Sequence, residues 1–128
     1  MKTALVVDDS RATRILLGKI LRELGYEVLE AANGREALAA VAQARPALQL
    51  VLADWYMPEL DGVEMIKQLR ANPRNNGIKV LMVTSECDLN QITTALLAGA
   101  NEYVMKPFTR EIVEEKLQLV GIRSECCG

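Results

Sequence analysis

Asp8, Asp9, Asp54, Thr84 and Lys106 are the residues of this 128-residue chain whose types and positions suit them to chemistry. Each follows an apolar run. Residues 4–7 (ALVV) lead into Asp8 and Asp9, 48–53 (LQLVLA) into Asp54, 78–83 (IKVLMV) into Thr84 and Ser85, and 102–105 (EYVM) into Lys106-Pro107. Carboxylates gathered at one place repel one another unless a cation sits among them, and all-oxygen ligation with room for water suits Mg2+ better than a softer metal. A lysine, a hydroxyl and loop N–H groups beside such an ion form a receptacle for a doubly charged tetrahedral anion, and phosphoryl is the anion that fits. Phosphoryl transfer needs positioning and charge neutralisation more than covalent machinery, and carboxylates serve as acceptors in aspartyl-phosphate chemistry. Asp54, between the acid pair and the lysine, is the candidate nucleophile.

Taken singly, each residue has a plainer reading. Asp9 and Ser10 can cap a helix, Thr84 can sit in a turn, Lys106 can be a solvated lysine at a strand end, and Tyr103 can be a half-buried strand aromatic. Only convergence makes a site, so the elements that position these residues decide the matter. Leu17, Ile20, Leu21 and Leu24 recur at helical spacing over 11–24, with Ser10 as cap and Gly25 as stop. Residues 26–30 alternate like a strand near a sheet edge, and Asn33-Gly34 leads into an Ala-rich helix to about residue 44, with Pro46 marking the break. The run 48–53 reads as a strand buried on both faces, ended by Asp54 and Pro58. Residues 60–70 place Gly62, Met65, Ile66 and Leu69 on one helical face, and Asn72-Pro73 ends it. Leu89, Ile92 and Leu96 carry a helix to Ala98, with Gly99 as a left-handed cap. Val113, Leu117 and Val120 carry a last helix, and 121–128 form a short tail.

Five strands alternating with five helices predict an α/β fold with one doubly wound parallel sheet in the order 2-1-3-4-5, a known arrangement of such sheets. The first and third strands then lie side by side. Asp8, Asp9 and Asp54 converge at the carboxyl edge, where such sheets bind ligands, with Thr84 on the far side of Asp54 and Lys106 just beyond.

Composition narrows the function classes. Fifteen basic and seventeen acidic residues give a formal charge of -2, without the basic stripe of a nucleic-acid binder. No apolar run approaches the ~20 residues that span a bilayer, and no signal-peptide pattern opens the chain, so a cytoplasmic protein is expected. The absence of histidine removes Ser-His-Asp and Cys-His nucleophile pairs and most zinc sites. Cys87, Cys126 and Cys127, an odd number with two adjacent, read as reduced and inert thiols.

VVDDS with Asp8 and Asp9, LADWYMPELDG with Asp54, VTS with Thr84 and EYVMKPF with Tyr103, Lys106 and Pro107 together resemble the receiver domains of response regulators, and among them the single-domain chemotaxis regulators. The likeness spans nearly the whole chain, read as one receiver domain over 1–128 with its core at about 2–120 and the flavodoxin-like (CheY-like) fold. The resemblance implies that Asp54 accepts a phosphoryl group from the phosphohistidine of a CheA-like sensor histidine kinase. It implies that Asp8, Asp9, Asp54 and the Tyr56 carbonyl hold Mg2+, with Asp8 acting partly through water. Lys106, Thr84, the Ser85 N–H and Tyr56 would face the phosphoryl group, and Lys106-Pro107 would be cis, as X-Pro bonds tolerate. Thr84 would move toward the new group and Tyr103 would rotate inward, turning one charge event into a shift between two packings. Ile92, Tyr103 and Lys116 would face a separate protein target such as the flagellar motor switch, and a phosphatase is a further implied partner. The chain is thus expected to be a monomeric phosphoacceptor, not an enzyme, without a fused output domain.

Three departures stand out. Tyr56 occupies a position often small and polar in chemotaxis relatives, where it would shield an acyl phosphate from water. Glu86 flanks the same entrance, and Leu119 replaces a second lysine of the target-facing surface. Two other functions use part of this residue set: a receiver in a non-chemotaxis phosphorelay, and a Mg2+-dependent phosphohydrolase. The hydrolase reading lacks a second acid near Asp54 to activate water. A docking module with vestigial acids fits poorly, because Asp8, Asp9, Asp54, Thr84 and Lys106 are all present.

Overall fold

The computed structural model describes residues 2–44, 47–55, 57, 60–85 and 89–121. Tyr56, Pro46, Pro58, Glu86, Cys87, Cys126 and Cys127 lie outside the described residues, and so do the expectations that rest on them. In chain order the elements are β1 (Lys2–Val7), α1 (Arg11–Glu23), β2 (Tyr26–Ala31), α2 (Gly34–Ala44), β3 (Leu48–Asp54), α3 (Gly62–Ala71), a 3-10 turn (Pro73–Asn75), β4 (Lys79–Thr84), α4 (Leu89–Ala98), β5 (Glu102–Met105) and α5 (Arg110–Leu119). All strand pairs are parallel and the order is β2-β1-β3-β4-β5.

Two apolar layers sandwich the sheet. Leu5, Val7, Val51, Ala53, Val80 and Met82 face one side, where α2, α3 and α4 cover them through residues such as Val41, Ile66 and Ala95. Ala4, Val6, Leu50, Leu52, Leu81 and Val83 face the other, against Leu17 and Leu21 of α1 and Val113 and Leu117 of α5. The alternation within each strand follows from the pleat, and burial on both faces is why these strands are continuous apolar runs. As expected of an edge strand, β2 leaves Leu29 and Glu30 exposed.

The helix boundaries obey local chemistry. The Ser10 hydroxyl accepts from the Thr13 N–H at 3.3 Å, capping α1, and Gly25 and Gly99 take positive φ at helix ends. α3 begins at Gly62, two residues later than its apolar spacing predicts, because the Asp61 carboxylate caps it by accepting from the Glu64 N–H at 2.9 Å. β3 and β4 each run one residue further than their apolar runs: Asp54 pairs with Val83 and Thr84 with Met105. Both residues are therefore held inside a ladder, which fixes their backbone more tightly than a loop would.

α4 forms over Leu89–Ala98 as its apolar spacing predicts, with a different stripe turned inward. Leu89 is 78% and Leu96 44% exposed, and the one fully buried residue of the helix is Ala95. The inward stripe runs through Ile92, Ala95 and Ala98, rotated from the predicted Leu89, Ile92 and Leu96 by one residue at its far end. A methyl group at Ala95 lets the helix lie close to its neighbours, and that closeness leaves no room for the adjacent leucines. Among the described residues no helix is long and apolar enough to cross a membrane.

Candidate functional site

β1 and β3 lie side by side with Val7 opposite Ala53, so the next residues, Asp8 and Asp54, emerge together at the carboxyl edge. Asp8 is 1% exposed and fixed at several atoms. Its N–H donates to the Ala31 carbonyl at 3.1 Å, its Oδ1 accepts from the Ser10 N–H at 2.8 Å, and its Oδ2 accepts from Lys106 Nζ at 3.3 Å. Asp9 is exposed beside it. One carboxylate oxygen from each of Asp8, Asp9 and Asp54 lies within 4.8 Å of the others.

Lys106 reaches the cluster from the end of β5. Its N–H donates to the Thr84 carbonyl at 2.8 Å, which ties the strand-end loop to β4, and its Nζ lies 3.5 Å from Asp54 Oδ1 as well as near Asp8. The preceding expectation of a cis Lys106-Pro107 bond holds. Three carboxylates against one lysine leave the cluster short of positive charge. Burial first, and the neighbouring Asp8 carboxylate second, raise the Asp54 carboxyl above its ordinary value; Lys106 and the Trp55 N–H pull it back in part. The donors are all oxygen and lie close enough to share one ion, so the residues fit a hard divalent cation such as Mg2+ and offer nothing to a thiophilic metal.

Thr84 is buried at the end of β4, next to the strand that carries Asp54. By strand alternation it faces the same side of the sheet as Met82 and Tyr103, which pair across β4 and β5. Ser85, exposed, follows it. Tyr103 is half-buried, and Lys116 Nζ of α5 lies 4.4 Å from its ring centroid and 3.8 Å from Glu102 Oε1. Glu102 Oε1 also accepts the Tyr103 N–H at 3.0 Å. The structure thus brings Asp8, Asp9, Asp54 and Lys106 into one cluster with Thr84 at its border, and sets Tyr103 of β5 against Lys116 of α5, while Ile92 lies half-buried on the inward stripe of α4.

Some supporting residues escaped the reading of the sequence. Gly62 is one: a Cβ there would lie 2.3 Å from the Asp54 carbonyl oxygen, while its N–H donates to the Trp55 carbonyl at 2.9 Å, closing the loop after the candidate nucleophile. The Asp61-Gly62 pair before an apolar helical run was a legible cap signal. Arg70 is another, spanning the Gly99 carbonyl at 3.0 Å, the Asn75 carbonyl at 2.8 Å and Asn101 Oδ1 at 2.9 Å. Its partners are up to 31 residues away, and nothing local in the sequence announces them.

A doubly wound parallel sheet with an acid cluster and a lysine at its switch point defines a class of α/β proteins that bind ligands at that edge. The chain belongs to the response regulator receiver domain family, whose pattern it matches over residues 4–118. It is 42% identical over 117 residues to the chemotaxis protein CheY1 of Helicobacter pylori, covering 91% of this chain and 94% of that protein. It is 39% identical over 115 residues to the chemotaxis protein CheY homolog of Campylobacter jejuni, covering 89% and 88%. The solved structure of Vibrio cholerae chemotaxis protein CheY4 superimposes with a TM-score of 0.87 at 35% identity, covering 94% of this chain and 98% of that one.

Proposed function

We propose that this receiver domain accepts a phosphoryl group on Asp54 from the phosphohistidine of a sensor histidine kinase, in a Mg2+-dependent step, and signals to a separate protein in chemotaxis. The observation that carries the reading is the meeting of Asp8, Asp9 and Asp54 within 4.8 Å, with Lys106 Nζ 3.3 Å from Asp8 and 3.5 Å from Asp54, in a chain of this family. Asp8, Asp9 and Asp54 would hold the ion, together with the Tyr56 carbonyl that the family resemblance implies. When bound, Mg2+ supplies neutralisation of the charge that gathers on the transferring group.

The remaining work falls to the chain itself. Asp54 presents its carboxylate oxygen at the mouth of the cluster. Lys106, released from part of its pairing with Asp8 and Asp54, contacts the incoming phosphoryl oxygens, and Thr84 turns its hydroxyl to the same group along with the Ser85 N–H. Thr84 and Tyr103 share one face of the sheet, so movement of the first opens packing space for the second. The response is read on α4, β5 and α5, where Ile92, Tyr103 and Lys116 stand. Leu119, 63% exposed on that surface, makes it more apolar than one carrying a second lysine, and the target is matched accordingly. The similarity to CheY proteins supports a CheA-like kinase and a flagellar motor switch as the partners.

The test is intact mass after incubation with acetyl phosphate, with and without Mg2+, on the wild type and Asp54→Asn. A single phosphoryl adduct that needs both Mg2+ and Asp54 is expected. An adduct on Asp54→Asn, or none on the wild type together with unchanged Trp55 emission in beryllofluoride, would sink the reading.

A further inference from the structure

We propose that Arg14, held in place by Glu30, is a positioning residue that fixes the Asp8–Asp9 peptide and so aims the Asp9 carboxylate at the cation site; this rests on the Mg2+ reading above. Arg14 lies in the first turn of α1 with its side chain largely buried. Its Nη1 donates to the Asp8 carbonyl at 2.6 Å, and its Nε donates to Glu30 Oε1 at 3.1 Å. Glu30 stands on β2, opposite Val6 of β1, so one guanidinium joins the start of a helix, an edge strand and the acidic turn between them.

The arrangement answers a question that the acid cluster raises. Asp8 is already held at its N–H and at both carboxylate oxygens. Asp9 is exposed, and among the described residues no side chain pairs with its carboxylate. With no side-chain partner, the Asp9 carboxylate depends on its backbone for the point from which it reaches the cluster, and the peptide that leads into it begins with the carbonyl that Arg14 grips. A planar guanidinium donates to a carbonyl and a carboxylate at once in fixed geometry, which a lysine ammonium on a flexible stem does not reproduce. Groups that orient metal ligands commonly affect affinity by ~10–100-fold.

Charge alone makes the opposite prediction, which is what makes the inference testable. Removing a cation beside a Mg2+ site strengthens binding by simple Coulomb attraction, whereas loss of positioning weakens it. Mg2+ is titrated calorimetrically into the wild type, Arg14→Met, Arg14→Lys, Glu30→Gln and, as a charge-matched control on the same turn, Arg11→Met. The Asp9 amide resonance of each is recorded without metal. Folding is confirmed by circular dichroism. The expected result is a dissociation constant raised about 10-fold in Arg14→Met and Arg14→Lys, less in Glu30→Gln, and unchanged or lowered in Arg11→Met, with the Asp9 resonance displaced in the first three alone. If Arg14→Met does not fold, the comparison of Arg14→Lys with the wild type carries the test, because that substitution leaves the charge unchanged. Wild-type affinity in Arg14→Lys, or tighter binding in Arg14→Met, overturns the inference. A wild type that binds no Mg2+ overturns the cation reading instead, and the metal-free Asp9 resonances then report on the Arg14 contact separately.

Discussion

Replacing Asp54 with asparagine should make the metal-free protein more stable, an advantage that Mg2+ should largely remove. Asp54 lies within 4.8 Å of an Asp8 oxygen and 3.5 Å from Lys106 Nζ. At an effective dielectric near 20, those distances correspond to a repulsion of at least ~3.5 kcal/mol from Asp8 and an attraction of ~4.7 kcal/mol to Lys106, and a further repulsion of at least ~3.5 kcal/mol from Asp9, inside the same 4.8 Å, leaves the balance unfavourable. Desolvation adds to it. The Asp54 side chain is only 13% exposed, and full burial of an ion costs several kcal/mol, so the neutral amide should stabilise the metal-free fold by roughly 1–2 kcal/mol. For a chain of this length that is a rise in Tm of about 4–8 °C.

Metal removes most of that advantage. A ligand at 100 times its dissociation constant stabilises by ~2.7 kcal/mol, a rise of about 10 °C for the wild type. Asparagine removes one of three charged ligands, so the variant should gain less than about a third of that. Differential scanning calorimetry with EDTA and with saturating MgCl2 gives all four values. A metal-free Tm for Asp54→Asn at or below the wild type would refute the dominance of burial over the Lys106 pairing. Equal Mg2+ increments in both proteins would refute Asp54 as a ligand.

Three further outcomes are expected. Because the Asp54 carboxyl is raised above its ordinary 3.8, the stability contributed by its protonated form is fully present below that value and lost as pH rises through the raised one. Mg2+ affinity should correspondingly fall on acidification at a higher pH than an ordinary carboxylate would give, and higher still in Lys106→Met; calorimetric titration from pH 4 to 8 checks it. Gly62→Ala should cost about 2–3 kcal/mol in urea denaturation, since its Cβ would meet the Asp54 carbonyl at 2.3 Å, and a cost under ~0.5 kcal/mol would show that the loop yields freely. Lys116→Met should remove about 0.5–1 kcal/mol from the hold on the Tyr103 ring, a two- to five-fold change in its rotamer populations by fluorotyrosine NMR, and unchanged populations would exclude the 4.4 Å contact as a restraint.

Most of the sheet was legible because parallel strands buried on both faces must be apolar runs, and here each run also ends in a residue of distinctive chemistry. Asp8, Asp9, Asp54, Thr84 and Lys106 therefore announced both their strands and their meeting place. The inward face of α4 was hidden for the opposite reason. Leu89, Ile92, Ala95 and Leu96 offer two overlapping apolar stripes, and hydropathy favours the one with larger side chains. Close packing favours the one with the smaller, because Ala95 permits an approach that leucine does not. Arg14 and Arg70 were illegible for another reason: each acts through partners distant in sequence, including backbone carbonyls, which carry no side-chain signal.

The same contrast bears on how a small event at Asp54 reaches the far surface. The acid cluster is anchored from several directions, by β1, β3, Lys106, Ser10 and Arg14, so a new charge there cannot be absorbed by drift of the ligands. α4 is anchored lightly, with Ala95 as its one fully buried residue and with Leu89 and Leu96 in solvent. Its far end is fastened more firmly, where Arg70 bonds the Gly99 carbonyl and Asn101, and Asn101 Oδ1 accepts the Val80 N–H of β4. A helix pinned at its carboxyl end and sparsely buried along its length would yield most readily at its amino end. On the phosphorylation reading, rigidity at the site and compliance in α4 would be complementary: strain introduced at Thr84 would be relieved in α4, where burial is least.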